Sequence, residues 1–140
     1  MSAGPALAPD AAIVLGIAST ALPFAGTPGD AAERWLRVLR LHGEAGAALQ
    51  ALGVSEGPLR TPEETERGWA PAPEADDREA VARVLEHAVR RADRRGAAGV
   101  ATSDVLMGVM DVYGADFERV LRAHGTDRDE VIERLGATAA

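Results

Sequence analysis

Several residue types are missing from this 140-residue chain, and each absence excludes a class of structure. Cysteine is absent, which excludes disulfide bonds, cysteine-based zinc sites and thiol nucleophiles. Lysine and asparagine are also absent, so that every basic residue is an arginine, a bias typical of a high-GC, bacterial genome. Aromatic residues make up only 4% of the chain, so a core has to be built from Ala, Val and Leu, which favours closely packed helices.

Long hydrophobic runs and early basic residues are missing as well. The apolar stretch 12–25 lacks the basic segment that opens a signal peptide, because the first basic residue is Arg34. No run approaches the length that a membrane-spanning helix requires. We therefore expect a soluble, cytoplasmic protein of one domain, with 46% apolar residues available to fill its core.

Positive charge is in deficit, and the deficit is concentrated in one segment. The formal net charge is −7, and residues 61–80 hold seven acidic residues against two arginines. Such a balance disfavours nonspecific binding to a phosphate backbone. A small helical DNA-binding transcriptional regulator is the alternative function, and the lack of a basic recognition helix counts against it.

The chain repeats itself once, with a period of about seventy residues. Six positions of the first half have counterparts in the second half, and five of them keep the same residue. Val14, Leu15, Ala18, Gly26, Trp35 and Leu36 correspond to Val84, Leu85, Ala88, Gly96, Val105 and Leu106. After a slip of two residues, Ala48-Leu49 and Gly53 recur as Val120-Leu121 and Gly125. A long period repeated once predicts two similar helical units packed face to face, an arrangement typical of docking modules.

The hydrophobic spacing predicts an all-α fold of about eight helices, four in each unit, and no strand. Apolar residues from Val81 to Ala92 recur at i, i+3, i+4 and i+7, the pattern of an amphipathic helix. In the first unit, Asp30 is expected to cap a helix over 31–41, and a shorter helix is expected over 44–52. Thr102 or Ser103 is expected to cap a later helix and Asp127 the last one, while Gly53 and Gly125 follow helix ends.

We expect one domain over residues 9–136, between flexible tails at 1–8 and 137–140. Within it, the first repeat spans 9–60, an acidic linker 61–76 and the second repeat 77–136. Trp69 is a large apolar residue in an otherwise polar linker. It either packs the linker onto the helices or anchors a partner.

The ordered motifs resemble the Clp N-terminal (Clp repeat) domain, the double-repeat helical module at the front of Clp-family AAA+ unfoldases, in its ClpC-type form. The second unit carries the resemblance through Val84-Leu85-Glu86-His87-Ala88, Gly96, Thr102-Ser103-Asp104-Val105-Leu106 and Val120-Leu121 with Gly125. The first unit matches through Glu33 to Leu39 and Leu49 to Val54, so the likeness covers about residues 9–136. No Walker motif occurs, which suggests a free-standing domain without the ATPase modules.

The resemblance implies a phosphoarginine pocket in each repeat, built from a glutamate that opens the second helix and a threonine that opens the first. Glu33 is retained in the first repeat, whereas Ser103 replaces the second glutamate, and the threonine positions fall at about Ala8 and Arg78. Glu33, Arg78 and Ser103 are therefore the candidate ligand-binding residues. The alternative for Glu33 is a plain acidic residue in a first helical turn, where the helix dipole favours it.

The remaining polar features have ordinary explanations beside their functional ones. The run Arg90-Arg91-Arg94-Arg95 either binds phosphate or an acidic partner, or is a solvated helix end, the interpretation we favour. His42, His87 and His124 are far apart, which argues against a metal site, and His87 and His124 are expected at the boundary of the core. No nucleophile–base pattern occurs, so neither an enzyme nor a cofactor is expected.

The sequence therefore predicts a non-catalytic module that binds a protein or peptide. By the resemblance, its partner would be a Clp unfoldase, an adaptor of that unfoldase or one of its clients. The chain would then act as an adaptor or a decoy in Clp-dependent proteolysis.

Overall fold

The computed structural model describes residues 6–21, 28–54 and 74–139, and these residues are mostly helical, as predicted. In these ranges there are seven helices: α1 (Pro9–Ala21), α2 (Pro28–Leu39), α3 (Gly43–Ala51), α4 (Glu74–Arg94), α5 (Thr102–Tyr113), α6 (Ala115–Ala123) and α7 (Arg128–Ala139). A pair of two-residue strands, β1 (Ala6–Leu7) and β2 (Gly99–Val100), completes them. The fourth helix expected in the first unit would follow α3, where residues 55–60 lie outside the described residues. Within the described ranges, every helix is too short or too polar to cross a membrane.

Helix α5 lies at the centre of the molecule and contacts each of the other six helices described above. Its side chains Val105, Leu106 and Val109 are fully buried, and Met107 and Met110 nearly so. A helix that is apolar on most of its faces is stable only when it is surrounded by other elements. The Ala- and Leu-rich flanking helices provide that cover, as the scarcity of aromatic residues led us to expect.

Helices α4 and α5 share the most extensive contact between described helices, and small residues make their approach possible. Val84, Ala88 and Ala92 form a buried stripe on α4 at i, i+4 and i+8. Gly108 of α5 faces this stripe so closely that a Cβ atom built on it would lie 2.8 Å from the carbonyl oxygen of Val84. The backbones therefore meet at a distance that only glycine permits at position 108.

Helix α2 carries the largest side chain of the core. Trp35, Leu36 and Leu39 are fully buried, which confirms their predicted place in the core. The Trp35 indole N–H donates a hydrogen bond to the Tyr113 hydroxyl over 3.1 Å. A buried indole N–H needs such an acceptor, and here the bond joins α2 to the last turn of α5.

Helices α3 and α6 end in the same way, at the two glycines that the sequence marks as helix ends. Gly53 and Gly125 have φ angles of +89° and +88°, in the region that favours glycine. The next residue in each case, Val54 or Thr126, donates its backbone N–H over 3.0 Å to the carbonyl of Leu49 or Leu121. This 6→1 bond is the Schellman helix end, so the predicted stops are confirmed.

Both expected tails are partly ordered. Residues 6–8 were expected in a flexible tail, but Ala6 and Leu7 pair in parallel with Gly99 and Val100, and the Ala8 N–H donates to the Val100 carbonyl over 3.0 Å. The expectation of no strand was therefore also wrong. A ladder of two residues is too short to leave an alternating pattern in the sequence. At the other end, α7 continues to Ala139 through most of the expected tail 137–140.

Several helix boundaries differ from their predicted places. Helix α4 begins at Glu74, inside the segment 61–76 that was expected to be linker. Helix α2 extends from Pro28 to Leu39. It begins earlier than predicted because proline is well suited to a first helical turn. Asp30 is consequently not a cap but a residue of that first turn, where its carboxylate pairs with Arg34 over 3.4 Å.

The start of α5 uses different capping residues from those expected. Ala101, not Thr102 or Ser103, occupies the N-cap position, and its N–H donates to the Asp104 carboxylate over 2.9 Å. The Thr102 hydroxyl instead accepts a hydrogen bond of 3.1 Å from the Ala45 N–H at the start of α3. The cap of α7 is as predicted, since the Asp127 carboxylate accepts from the Glu130 N–H over 2.9 Å.

Candidate functional site

A buried carboxylate organises the polar side of the molecule, at the N-terminus of α5. Asp104 is only 1% exposed, and its Oδ1 and Oδ2 accept hydrogen bonds from Nε and Nη2 of Arg95 over 3.0 and 2.5 Å. Nε of Arg91 lies 3.7 Å from Oδ1. Because the Ala101 N–H binds Oδ2 as well, one carboxylate joins the end of α4, the β2 loop and the start of α5.

This arrangement also affects the titration of Arg95. The pKa of Arg95 lies above its ordinary value, chiefly because its guanidinium donates hydrogen bonds to the Asp104 carboxylate. Partial burial acts in the opposite direction, and the Coulombic attraction of Asp104 and Glu44 adds to the increase. Arg95 therefore remains a cation at every pH that is relevant to binding.

Above this carboxylate lies an open cavity of about 510 Å³. Its walls are formed by the first turns of α3 and α5, the end of α4, the β2 loop and the middle and C-terminal half of α7. The lining residues include Glu44, Arg91, Arg95, Ser103, Asp104, Met107, Ile132 and Leu135. Charged and hydroxyl groups thus share one cavity with apolar side chains, a composition common in binding pockets.

The cavity contains one of the three candidate ligand-binding residues, Ser103. Its side chain is partly exposed and lies on the wall formed by the first turn of α5, next to Asp104. Of Arg78 only the backbone, near the start of α4, is described. It precedes Arg91 by thirteen positions on α4, and a helix rises 1.5 Å per residue, so the two Cα atoms are roughly 20 Å apart along the axis.

Glu33 lies in a different place, at a buried contact between α2 and α6. Both of its carboxylate oxygens are within hydrogen-bond distance of Nε2 of His124, at 3.1 and 3.2 Å. The side chains of His124 and Glu33 are only 2% and 7% exposed. A hydrogen bond across 91 positions of sequence therefore occupies the carboxylate that the family resemblance assigns to a ligand.

The His124 side chain is buried, although the residue as a whole is of intermediate burial, as expected at the boundary of the core. Its Nδ1 is buried and has no hydrogen-bond partner among the described residues. Nε2 faces the Glu33 carboxylate, which can only accept. The hydrogen bond therefore requires the imidazole tautomer in which Nε2 carries the hydrogen and donates the bond. His87 also lies at the boundary, with Nδ1 3.7 Å from the Asp111 carboxylate.

The arginine run at the end of α4 divides into two pairs. Arg90 pairs with Glu86 on the helix surface, and the Arg94 guanidinium donates to the Arg90 carbonyl. These two match the expected solvated helix end. Arg91 and Arg95 are exposed as well, but they also turn towards Asp104 and line the cavity.

Two other residues that the sequence singled out are described only in part or not at all. Trp69, the candidate partner anchor, lies outside the described residues, and only the backbone of Arg78 is described. In the described ranges no group of three or more His, Asp or Glu side chains is arranged to hold a metal ion. The sequence matches no model of a known protein family and no curated protein.

Free phosphoarginine is expected to bind weakly or not at all, because Glu33 is covered and hydrogen-bonded to His124. Isothermal titration calorimetry of the wild type and of Glu33→Ala should give the same absence of strong binding. The substitution should instead lower the free energy of unfolding by about 1–3 kcal/mol, since it leaves the buried His124 N–H without an acceptor. A strong titration of the wild type that is lost in Glu33→Ala would contradict this expectation.

Proposed function

We propose that the protein is a non-catalytic peptide-binding module, and that the cavity beside α5 is its binding site. The observation that carries this proposal is the composition of that cavity. Its open volume of about 510 Å³ combines two half-exposed arginines and Ser103 with Met107, Ile132 and Leu135. A peptide offers both polar groups and apolar side chains, and such a cavity can bind both at once.

The packing of the helices supports a two-unit architecture like that of the Clp N-terminal domain. Helices α1, α2 and α3 correspond in the sequence repeat to α4, α5 and α6. The second helix of each unit contacts the third helix of the other, as α2 packs on α6 and α5 packs on α3. The matching Schellman ends at Gly53 and Gly125 agree with the same scheme.

On this basis the module would act as an adaptor or a decoy in Clp-dependent proteolysis. The cavity wall contains Ser103, one of the two positions from which the resemblance would build the ligand pocket of the second repeat. The covered Glu33 means that the equivalent position in the first repeat offers no free carboxylate.

The proposal is tested by screening an immobilised peptide library and remeasuring the bound peptides in solution by fluorescence anisotropy. Ile132 lines the cavity and is 37% exposed, so Ile132→Ser should fold and should weaken these peptides about fivefold, because apolar contact area is lost. Ile13→Ser is the matched control, since Ile13 is an exposed isoleucine of α1 outside the cavity. Absence of any bound peptide, or equal losses in both variants, would refute the proposed site.

A further inference from the structure

The cavity presents more positive charge than its buried carboxylate can neutralise. Asp104 accepts from Nε and Nη2 of Arg95, and Nε of Arg91 is its more distant neighbour. Nη1 of Arg95 and both Nη atoms of Arg91 have no hydrogen-bond partner among the described residues. These guanidinium groups are about half exposed, at 46% and 45%, so a ligand can reach them while Asp104 remains beneath.

The same cavity offers an apolar surface to the rest of a ligand. Met107 of α5 lines it together with Ile132 and Leu135 of α7. Gly136 adds open space, since a Cβ atom built there would meet nothing within 4 Å. An aliphatic side chain of moderate size therefore finds contact on α7 without having to displace a buried group.

Glu44 is the remaining charged residue of the cavity lining. It lies in the first turn of α3 and is exposed. Its negative charge contributes to the raised pKa of Arg95. A bound anion would be repelled by Glu44 and attracted by the two arginines. The hydrogen bonds that guanidinium groups donate to a carboxylate are charge-assisted and directional, so the arginines should dominate at contact distance.

We infer that the cavity binds the C-terminal carboxylate of a peptide whose last residue is aliphatic; this rests on the proposed peptide-binding function. In a terminal residue the carboxylate and the side chain are attached to the same Cα atom. Both can therefore enter one cavity, the charge towards Arg91 and Arg95 and the side chain towards Ile132 and Leu135. An internal acidic residue in an extended peptide points away from its neighbours, because successive side chains alternate in direction.

Because the protein is acidic overall, a preference for a peptide with a free carboxylate has to arise from contacts within the cavity. A formal net charge of −7 repels an anionic peptide at long range. Any preference for a free carboxylate over an amide must then come from contacts at short range. The experiment therefore compares two peptides that differ only at that group.

The test uses fluorescence anisotropy with a fluorescein-labelled pentapeptide ending in Ala-Leu, prepared with a free C-terminus and as the C-terminal amide. The wild type should bind the free acid about tenfold more tightly than the amide. Arg91→Gln should reduce this difference, because it should weaken binding of the free acid much more than binding of the amide. Arg94→Gln is the matched control, because Arg94 carries the same charge one turn away, outside the cavity lining, and should keep the difference.

A second variant makes the test independent of how well Arg91→Gln folds. Glu44→Gln removes an exposed carboxylate from the rim and should strengthen binding of the free acid about twofold to threefold, a larger gain than for the amide. A thermal melt of each variant shows that the fold is intact.

Two results would overturn the inference. Equal affinity for acid and amide in the wild type would refute a carboxylate site, and so would equal effects of Arg91→Gln and Arg94→Gln. If these peptides still bind and are weakened by Ile132→Ser, the peptide-binding proposal stands and only the terminal-carboxylate inference fails. If the library screen yields no ligand at all, both fail together.

Discussion

Replacing Gly108 with alanine is expected to lower the free energy of unfolding by about 2–3 kcal/mol. In an isolated helix the same change is stabilising by about 1 kcal/mol, because glycine is the poorer helix former. Here the new methyl group would lie 2.8 Å from the Val84 carbonyl oxygen and 3.4 Å from the His87 Cβ. A backbone carbonyl inside α4 cannot rotate away, so α4 and α5 would have to separate along their shared core.

Gly16→Ala is the matched control for that prediction. Gly16 is an exposed residue within α1, and a Cβ atom built on it meets nothing within 4 Å. We expect this variant to be unchanged or more stable by up to about 1 kcal/mol. Urea denaturation followed by circular dichroism measures both variants, and equal behaviour of the two would show that α4 and α5 are not as close as described.

Replacing Asp104 with alanine is expected to cost about 2–3 kcal/mol of unfolding free energy. The substitution removes the acceptor for the Ala101 N–H and for the bidentate Arg95 guanidinium at once. The cost stays below that of breaking a fully buried ion pair, because Arg95 is about half exposed and water can solvate it. The loss should be seen in urea denaturation as a lower midpoint with an unchanged slope.

An exposed aspartate on the neighbouring helix provides the control for Asp104. Asp93 of α4 has an exposed side chain, so Asp93→Ala should change stability by less than about 0.5 kcal/mol. If Asp104→Ala were as mild as Asp93→Ala, the buried carboxylate would not be holding the cavity wall together. The Arg91 and Arg95 side chains would then lack a fixed position for binding a ligand.

Local signals in the sequence were sufficient for the helical class and for several helix ends. The i, i+3, i+4 spacing on α4 and the apolar cluster around Trp35 reflect burial on one face, which any packed helix requires. Gly53, Gly125 and Asp127 act within a few residues of their own helix, so their roles can be seen without tertiary information. The two-residue strand pair escaped prediction because it depends on residues 6 and 99 meeting in space.

The polar groups of the site depend on contacts that no local pattern shows. The Arg run after Val89 has the composition of a solvated helix end, and only the turn through β2 brings Arg95 back to Asp104. The contact of His124 with Glu33 joins residues that are 91 positions apart, and it places an expected ligand group in a buried hydrogen bond. Sequence reasoning named Ser103 as a candidate ligand-binding residue and considered the arginine run as an anion site, but it did not connect Arg91 and Arg95 with Asp104.

The most direct test of the peptide-binding site is a titration of ¹⁵N-labelled protein with the tightest peptide from the library screen, followed by amide chemical shifts. We expect the largest shift changes at Ser103, Met107, Ile132, Leu135 and Gly136, which line the cavity. Amides around Glu33 and along α1 should move little. Shifts concentrated on α1 or on the Glu33–His124 contact, with the cavity residues unmoved, would contradict the proposed function.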